Sequence, residues 1–235
     1  MKCKLIFFVL IFFNFAIFAN EVNSFFGDFI EINNVFIKEP LYAKQQLISK
    51  NESSMEEKDA YSFFCGDSQL TFFDNCFFLG TNQGYWIMND RMKMPLKVSG
   101  NYQVEEIEIQ DILRIDFIND YEILNILDNE IWLQRKSKKA VYYFISIKKE
   151  PKGKYRLIFQ DKNKTNIKEA IYTEGIVNNL KCFSEIEIYN LTINTNKKLK
   201  YITKFVNKLN ISQALFSHTQ MGNLIDYIKN SGLLK

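Results

Sequence analysis

Residues 114–134 read Arg114-Ile-Asp-Phe-Ile118, Asn119-Asp120, Tyr121-Glu-Ile-Leu-Asn-Ile-Leu127, Asp128-Asn129, Glu130-Ile-Trp-Leu-Gln134. Three apolar-rich runs are separated by two Asn/Asp pairs. Asn and Asp tolerate the positive φ that two-residue hairpin turns require, so the stretch predicts three consecutive antiparallel strands. The same grammar continues downstream. Ala140 to Lys148, a Pro151-Lys152-Gly153 turn and Lys154 to Gln160 make a further hairpin, and strands are expected at Ile167 to Thr173 and Glu185 to Ile193. Connections this short exclude parallel neighbours, which need crossovers of about a dozen residues or more.

Strand faces carry information about layering. Glu106-Ile107-Glu108-Ile109 alternates cleanly, whereas Val141-Tyr-Tyr-Phe-Ile145 is apolar on both faces. A sheet covered on one side gives alternation alone, so part of this sheet is expected to be covered twice. From Tyr85 onward the pattern supplies about eight or nine strands, enough to close as a barrel or fold over as a sandwich. The expected fold class is mainly β, an antiparallel meander with two C-terminal α-helices, a β-rich α+β protein.

The ends differ in character. Lys2 and Lys4 precede a run from Leu5 to Phe18 broken by Asn14, and Ala16 to Ala19 gives a small-residue exit, so residues 1–19 read as a secretory signal peptide. The run is shorter than the roughly 20 apolar residues a membrane span needs, and the mature chain is expected not to span a membrane. Residues 20–60 read as an N-terminal extension: a first strand or irregular arm over 21–38, a short helix from Leu41 to Ser49 after Pro40, and a polar linker over 50–59. Residues 61–195 form the β domain. Over 196–235, Leu199, Ile202, Phe205, Val206 and Leu209 recur at helical spacing with Lys197, Lys198, Lys200, Lys204 and Lys208 on or near the other face. Asn210 and Gln213 have capping-box spacing for a second helix that carries Leu215, Leu224, Ile225 and Ile228 and stops at Gly232. Both helices are expected to pack on the β domain.

The chain has 235 residues, 47% hydrophobic and 24% charged, with formal net charge +3. That balance allows a real core and argues against nucleic acid as a partner. The total conceals a contrast: residues 101–130 carry a net charge of −8 and residues 131–164 a net charge of +9. On neighbouring strands these blocks would pair across the sheet, and on opposite sides they would make a dipolar molecule. Beyond the leader the cysteines are Cys65, Cys76 and Cys182. Cys65 and Cys76 flank a hairpin-like segment and are either bridged or buried as free thiols.

Gly84-Tyr85-Trp86 opens the continuous meander. This Gly-x-Trp resembles the motif of the lipocalin-like (calycin) β-barrels over about residues 79–210. The resemblance implies an up-and-down barrel whose Trp86 plugs the closed end, whose Gly84 allows close approach of the N-terminal segment, and which holds an apolar ligand such as a lipid or acyl chain. Trp86, Trp132, Tyr143 and Phe159 are the residues expected to line such a cavity, chosen as inward positions. The paired phenylalanines Phe63-Phe64, Phe72-Phe73 and Phe77-Phe78 belong either to a greasy pocket or to a filled core.

Catalytic and cofactor signatures are absent from the sequence. His218 is the one histidine, which removes imidazole-built metal sites, and no cluster has zinc or calcium spacing. No nucleophile elbow, phosphate-binding glycine loop or dinucleotide fingerprint occurs. A Cys182 and His218 pair is the nearest approach to a nucleophile. The sequence reads as an exported protein of the periplasm or cell surface that binds without catalysis and without a cofactor. Its partner is an apolar small molecule or lipid, with an envelope protein as the alternative and a hydrolase less favoured.

Overall fold

Asp74 and Asn75 have φ of 49° and 60°, Lys152 and Gly153 have 63° and 66°, and Asn178 and Asn179 have 49° and 65°. These left-handed pairs are the hairpin turns around which the sheet is built. In the computed structural model, residues 25–50, 54–104, 107–127, 129–192 and 198–234 are described. The leader over 1–19 lies outside them.

The chain enters as a helix over 25–33, α1, and a 3-10 turn at Val35–Ile37. Strands β1 (Leu41–Lys50), β2 (Met55–Cys65), β3 (Ser68–Phe73), β4 (Cys76–Thr81), β5 (Gly84–Asn89) and β6 (Leu96–Val98) follow. A small ribbon, β7 (Gln103–Val104) with β8 (Ile107–Glu108), leads to the single-turn helix α2 (Ile109–Ile112). The meander then resumes as β9 (Tyr121–Leu127), β10 (Glu130–Arg135), β11 (Phe144–Glu150), β12 (Lys154–Gln160), β13 (Asn166–Val177), β14 (Leu180–Asn190) and β15 (Lys198–Lys208). Two 3-10 turns, Gln213–Leu215 and His218–Gln220, precede helix α3 (Met221–Asn230).

Thirteen strands form one sheet in the order β6-β5-β4-β3-β2-β1-β15-β14-β13-β12-β11-β10-β9, every pairing antiparallel. The chain therefore starts at the middle of the sheet, runs out to β6, crosses to the opposite edge at β9 and returns to the middle at β15. The mainly β expectation holds, and the hairpins around Pro151 to Gly153 and between β9 and β10 lie where the turn residues placed them.

Several local expectations are corrected. Leu41 to Ser49 is strand β1, paired with β2 and β15, because Leu41, Ala43 and Leu47 bury against one face. The arm over 21–38 is helical where described. The first C-terminal helix is instead strand β15, in which Leu199, Tyr201 and Thr203 bury at period two. Its lysines find partners across the sheet: Lys198 meets Glu187 at 2.7 Å, and Lys200 meets Glu185 at 2.7 Å. Residues 114–118 are not a strand; they belong to the connection between the sheet edges. Helix α3 occupies the later half of the second expected helix, and Gly232 ends it at φ 73°.

The sheet curls, but its edges do not pair. A Cβ placed on Gly100 would lie 2.5 Å from Val141 and 3.1 Å from Tyr85, so the two ends of the sheet come close there. Lys139 bonds the Thr81 carbonyl at 3.3 Å and Asp120 at 3.2 Å across the same gap. The crossing segment, 99–120, seals the opening. Ile107, Ile109, Ile112, Leu113 and Phe117 from it pack with Phe29 of α1 and with inward residues from both halves of the sheet in one core. On the outer face of β1–β5, α3 covers a second core that includes Tyr42, Phe63, Leu70, Phe77 and Trp86. This explains the double apolar pattern of the phenylalanine pairs: Phe77 faces α3, and Phe78 faces inward.

Candidate functional site

Inner-face residues converge on a cavity of about 80 Å³ between the sheet, the end of α1 and the crossing segment. Ligand pockets run from about 300 Å³ upward, so this partly open pocket has room for a few waters and not for an acyl chain. Its lining mixes apolar side chains, among them Phe36, Phe64, Phe159 and Phe183, with the polar Gln45, Gln69, Arg114, Tyr201 and Thr203. The two kinds alternate around it, since Phe64 is the register partner of Gln69 and Ile186 that of Tyr201. Tyr201 and Thr203 stand two residues apart on β15, and Gln45 is the register partner of Thr203. The buried Tyr201 hydroxyl has no hydrogen-bond partner among the described residues, and burial raises its pKa well above the ordinary tyrosine value.

Polar clasps fasten the crossing segment. The Gln69 amide donates to the Ile112 carbonyl at 3.3 Å and to Thr71 Oγ1 at 2.9 Å, and its carbonyl accepts from Arg114 N at 2.7 Å. Ser62 continues the network to Thr71 and to Gln45, each at 2.9 Å. The Arg114 guanidinium donates to Asn34 Oδ1 at 2.7 Å, and burial lowers its pKa despite Asp116, Asp67 and Asp120 nearby.

A second clasp is ionic. Lys168 on β13, 5% exposed, meets Asp111 Oδ2 at 2.6 Å and Glu108 Oε2 at 2.7 Å. Tyr142 donates to Asp111 Oδ1 at 3.3 Å, and Gln110 donates to Glu108 at 2.6 Å. Burial pushes the Asp111 carboxyl above its ordinary value, more than Lys168 pulls it down. The acidic and basic sequence blocks meet at Lys139 and Asp120, while Asp111 and Glu108 pair with Lys168 outside the basic block and Arg156 pairs with Glu150 and Glu169.

Of the four expected lining residues, the structure brings Phe159 to the cavity. Trp86 lies on the outer face under α3, because Tyr85 and Ile87 take the inward positions of β5. Trp132 is half-buried beside the inward Ile131 and Leu133. Tyr143 is 36% exposed and stacks with the Arg135 guanidinium at 3.8 Å. The calycin motif therefore does not have its expected role: Gly84 has φ 135° because it closes the β4–β5 turn, and the sheet is open with thirteen strands.

The cysteine expectations also change. Cys65 and Cys76 pair with opposite ends of β3, five residues apart in register, and they belong to cores on opposite faces. At about 3.3 Å per strand residue, their separation far exceeds the roughly 7 Å limit for Cα atoms in a disulfide, and both are free thiols. Cys182 packs with Phe36 and Phe64, while His218 stacks on Trp86 on the other face, so no nucleophile pair forms.

Lys168, Asp111, Gln69 and Tyr201 were missed by sequence reasoning. Lys168 shares a strand face with Ala170 and Tyr172, but Ile167, Glu169 and Ile171 make an equally good face, so choosing between them requires the register.

No protein-family model matches the sequence, and no curated protein matches it. Solved structures do share the fold. A LolA superfamily protein from Nitrosomonas europaea superposes with a TM-score of 0.63 at 10% identity, over 80% of this chain and 94% of that one. A DUF1329 family protein from Desulfovibrio piger gives 0.60 at 13% identity, over 81% and 94%. A domain from Vibrio parahaemolyticus, described as a "putative outer membrane lipoprotein-sorting protein domain", gives 0.62 at 14% identity, over 82% and 96%. The chain therefore has the fold of LolA-like proteins, an open antiparallel sheet rather than a closed calycin barrel.

Proposed function

We propose that the protein is exported to the cell envelope and carries the apolar part of a lipid or lipidated molecule on the inner face of its sheet. The observation that carries this reading is the way the face is covered. The crossing segment fills the space with Ile109, Ile112 and Leu113, yet among the described residues none of it pairs as a strand with the large sheet, and side-chain clasps from Gln69, Lys168, Tyr142 and Lys139 hold it. A cover held in this way can be exchanged for an acyl chain of similar character, and the rings of Phe36, Phe64, Phe159 and Phe183 in the lining are left to receive it. The described lipoprotein-sorting role of the Vibrio structure, on the same fold, supports an apolar ligand class. Export is supported by the apolar run from Leu5 to Phe18, and no described helix is long and apolar enough to cross a membrane. Cys182 and His218, the nucleophile pairing the sequence offered, stand on opposite faces of the sheet.

The test is incubation of the purified protein with phospholipid vesicles and with a diacylated lipopeptide, followed by native mass spectrometry and amide hydrogen exchange. A bound lipid mass with faster exchange over 107–118 and unchanged exchange in β11–β14 is expected. Recovery of lipid-free protein from both incubations would overturn the proposal.

A further inference from the structure

The Lys168 clasp divides its charges unevenly between the two parts that must separate. The cation stands on β13, inside the sheet, while both carboxylates that meet it, Glu108 and Asp111, belong to the crossing segment. The side chain of Lys168 is 6% exposed, and its ammonium lies 5.8 Å from the centre of the Tyr142 ring. Closed, the ammonium faces two carboxylates held at hydrogen-bond distance. When the segment lifts to admit a chain that an 80 Å³ cavity cannot hold, it takes both counter-charges with it. Lys168 is then left opposite Phe159, beside Tyr142 and on one strand face with Ala170 and Tyr172, where an unpaired buried cation is strongly unfavourable. A neutral lipid chain covering that face would leave the penalty in place. A ligand bringing its own anion removes it.

Resting on the carrier reading above, we infer that the inner face selects an anionic amphiphile, a carboxylate or phosphate monoester on an alkyl chain, whose head group takes the place of Asp111 and Glu108 on Lys168. The crossing segment then acts as a resident substitute for the ligand in both chemistries. Ile109, Ile112 and Leu113 stand in for the alkyl chain, and the two carboxylates stand in for the head. Lys168 is the specificity-determining residue because it stays with the sheet whichever occupant is bound.

The experiment compares dodecanoate, dodecyl phosphate and dodecanol on the full chain by isothermal titration, with acetate and inorganic phosphate as head groups without a chain. The two anionic amphiphiles are expected to bind at least about tenfold more tightly than dodecanol, as a charge-assisted contact to a buried cation requires. The variant Lys168→Met should reduce that ratio to about twofold or less. Because removing the lysine alone strands two acids, the charge-free triple variant Lys168→Met, Asp111→Asn, Glu108→Gln provides the same comparison without a lone buried charge. Equal affinity of dodecanol and dodecanoate for the unaltered protein, or discrimination that survives in the triple variant, would overturn the inference while leaving the carrier reading intact. Tight binding of acetate or phosphate alone would also overturn it, since the site would then be a simple anion site. Binding of none of the probes would count against the carrier reading itself.

Discussion

Trp86 stacks on His218 with ring centroids 5.0 Å apart and planes 6° from parallel. The contact ties the β5 strand to the segment entering α3. It is reinforced where Tyr42 Oη donates to the Leu233 carbonyl at 3.0 Å and Tyr227 Oη donates to the Asn210 carbonyl at 2.9 Å. The C-terminal segment thus closes the outer face of β1–β5, where Phe63, Leu70 and Phe77 would otherwise meet water. Ile228 is fully buried in that contact. The substitution Ile228→Ala is expected to lower unfolding stability by about 2–5 kcal/mol, the range for truncating a buried isoleucine without full collapse of the gap. Urea denaturation followed by tryptophan emission measures it, and a loss below about 0.5 kcal/mol would show that α3 does not belong to the cooperative core.

The cysteines give a prediction that separates the two states left open by the sequence. Burial pushes the Cys182 thiol up to about 11, and burial also raises Cys65 and Cys76. A thiol is nucleophilic as the thiolate, so Cys182 should resist iodoacetamide at pH 8 in the native protein and react fully in urea. Peptide mapping under oxidising conditions should find no Cys65 to Cys76 crosslink in the folded monomer. Such a crosslink would require strand β3 to leave the sheet.

Acid sensitivity should concentrate at the middle of the sheet. Burial raises the Glu187 carboxyl, but the hydrogen bonds from Lys198 and Tyr189 and the charges of Lys198 and Lys200 together outweigh it and hold it below the ordinary carboxylate value. A carboxyl depressed in the folded state stabilises it at pH values above the unfolded pKa, and the contribution disappears as pH falls through the folded value. Glu187→Gln is therefore expected to cost about 1–3 kcal/mol at pH 7, within the range for hydrogen bonds to a charged group, and much less at pH 3. Urea midpoints at the two pH values check the sign. A cost that grows toward acid would contradict it.

The parts of the fold legible in the sequence are those that depend on local chemistry. The β9–β10 hairpin and the turn at Lys152 and Gly153 were readable because a positive φ demands particular residues. Strands β1 and β15 were not readable. They pair with one another across most of the chain's length, and their polar residues, Lys44, Gln45 and Gln46 in β1 and the lysines of β15, look like an amphipathic helix until Glu185, Glu187 and Asp59 are placed opposite them. The stretch at Arg114 to Ile118 fails for another reason. Its alternation is real, but Leu113 and Phe117 face the core from an irregular segment that seals a gap, a geometry that no period specifies. The candidate site was legible in one wall residue, Phe159, because cavity position follows from register, which two equally apolar strand faces leave unspecified.

The two sheet edges differ in length and in how they are guarded. Edge strand β6 has three residues, follows Pro95 and carries Lys97, all features that discourage pairing with another chain. Edge strand β9 is seven residues long, and Ile123, Leu124, Ile126 and Leu127 are each between 39% and 54% exposed. Its guards are local: the pairing with β10 slips by one residue at Leu124, and Asn125 Oδ1 accepts from the Ile126 N–H at 2.8 Å. A one-residue bulge and one side-chain hydrogen bond are a weak barrier against the apolar gain from covering four large side chains. The protein is therefore expected to self-associate at high concentration through β9, and Leu124→Lys should shift it toward monomer with a stability change within about 0.5 kcal/mol, since a half-exposed edge position contributes little to the fold. Sedimentation velocity across a concentration series measures the first effect and urea denaturation the second. Unchanged association in the variant would mean that the contact lies elsewhere, whereas a large stability loss would mean that Leu124 is covered in solution by part of the chain itself.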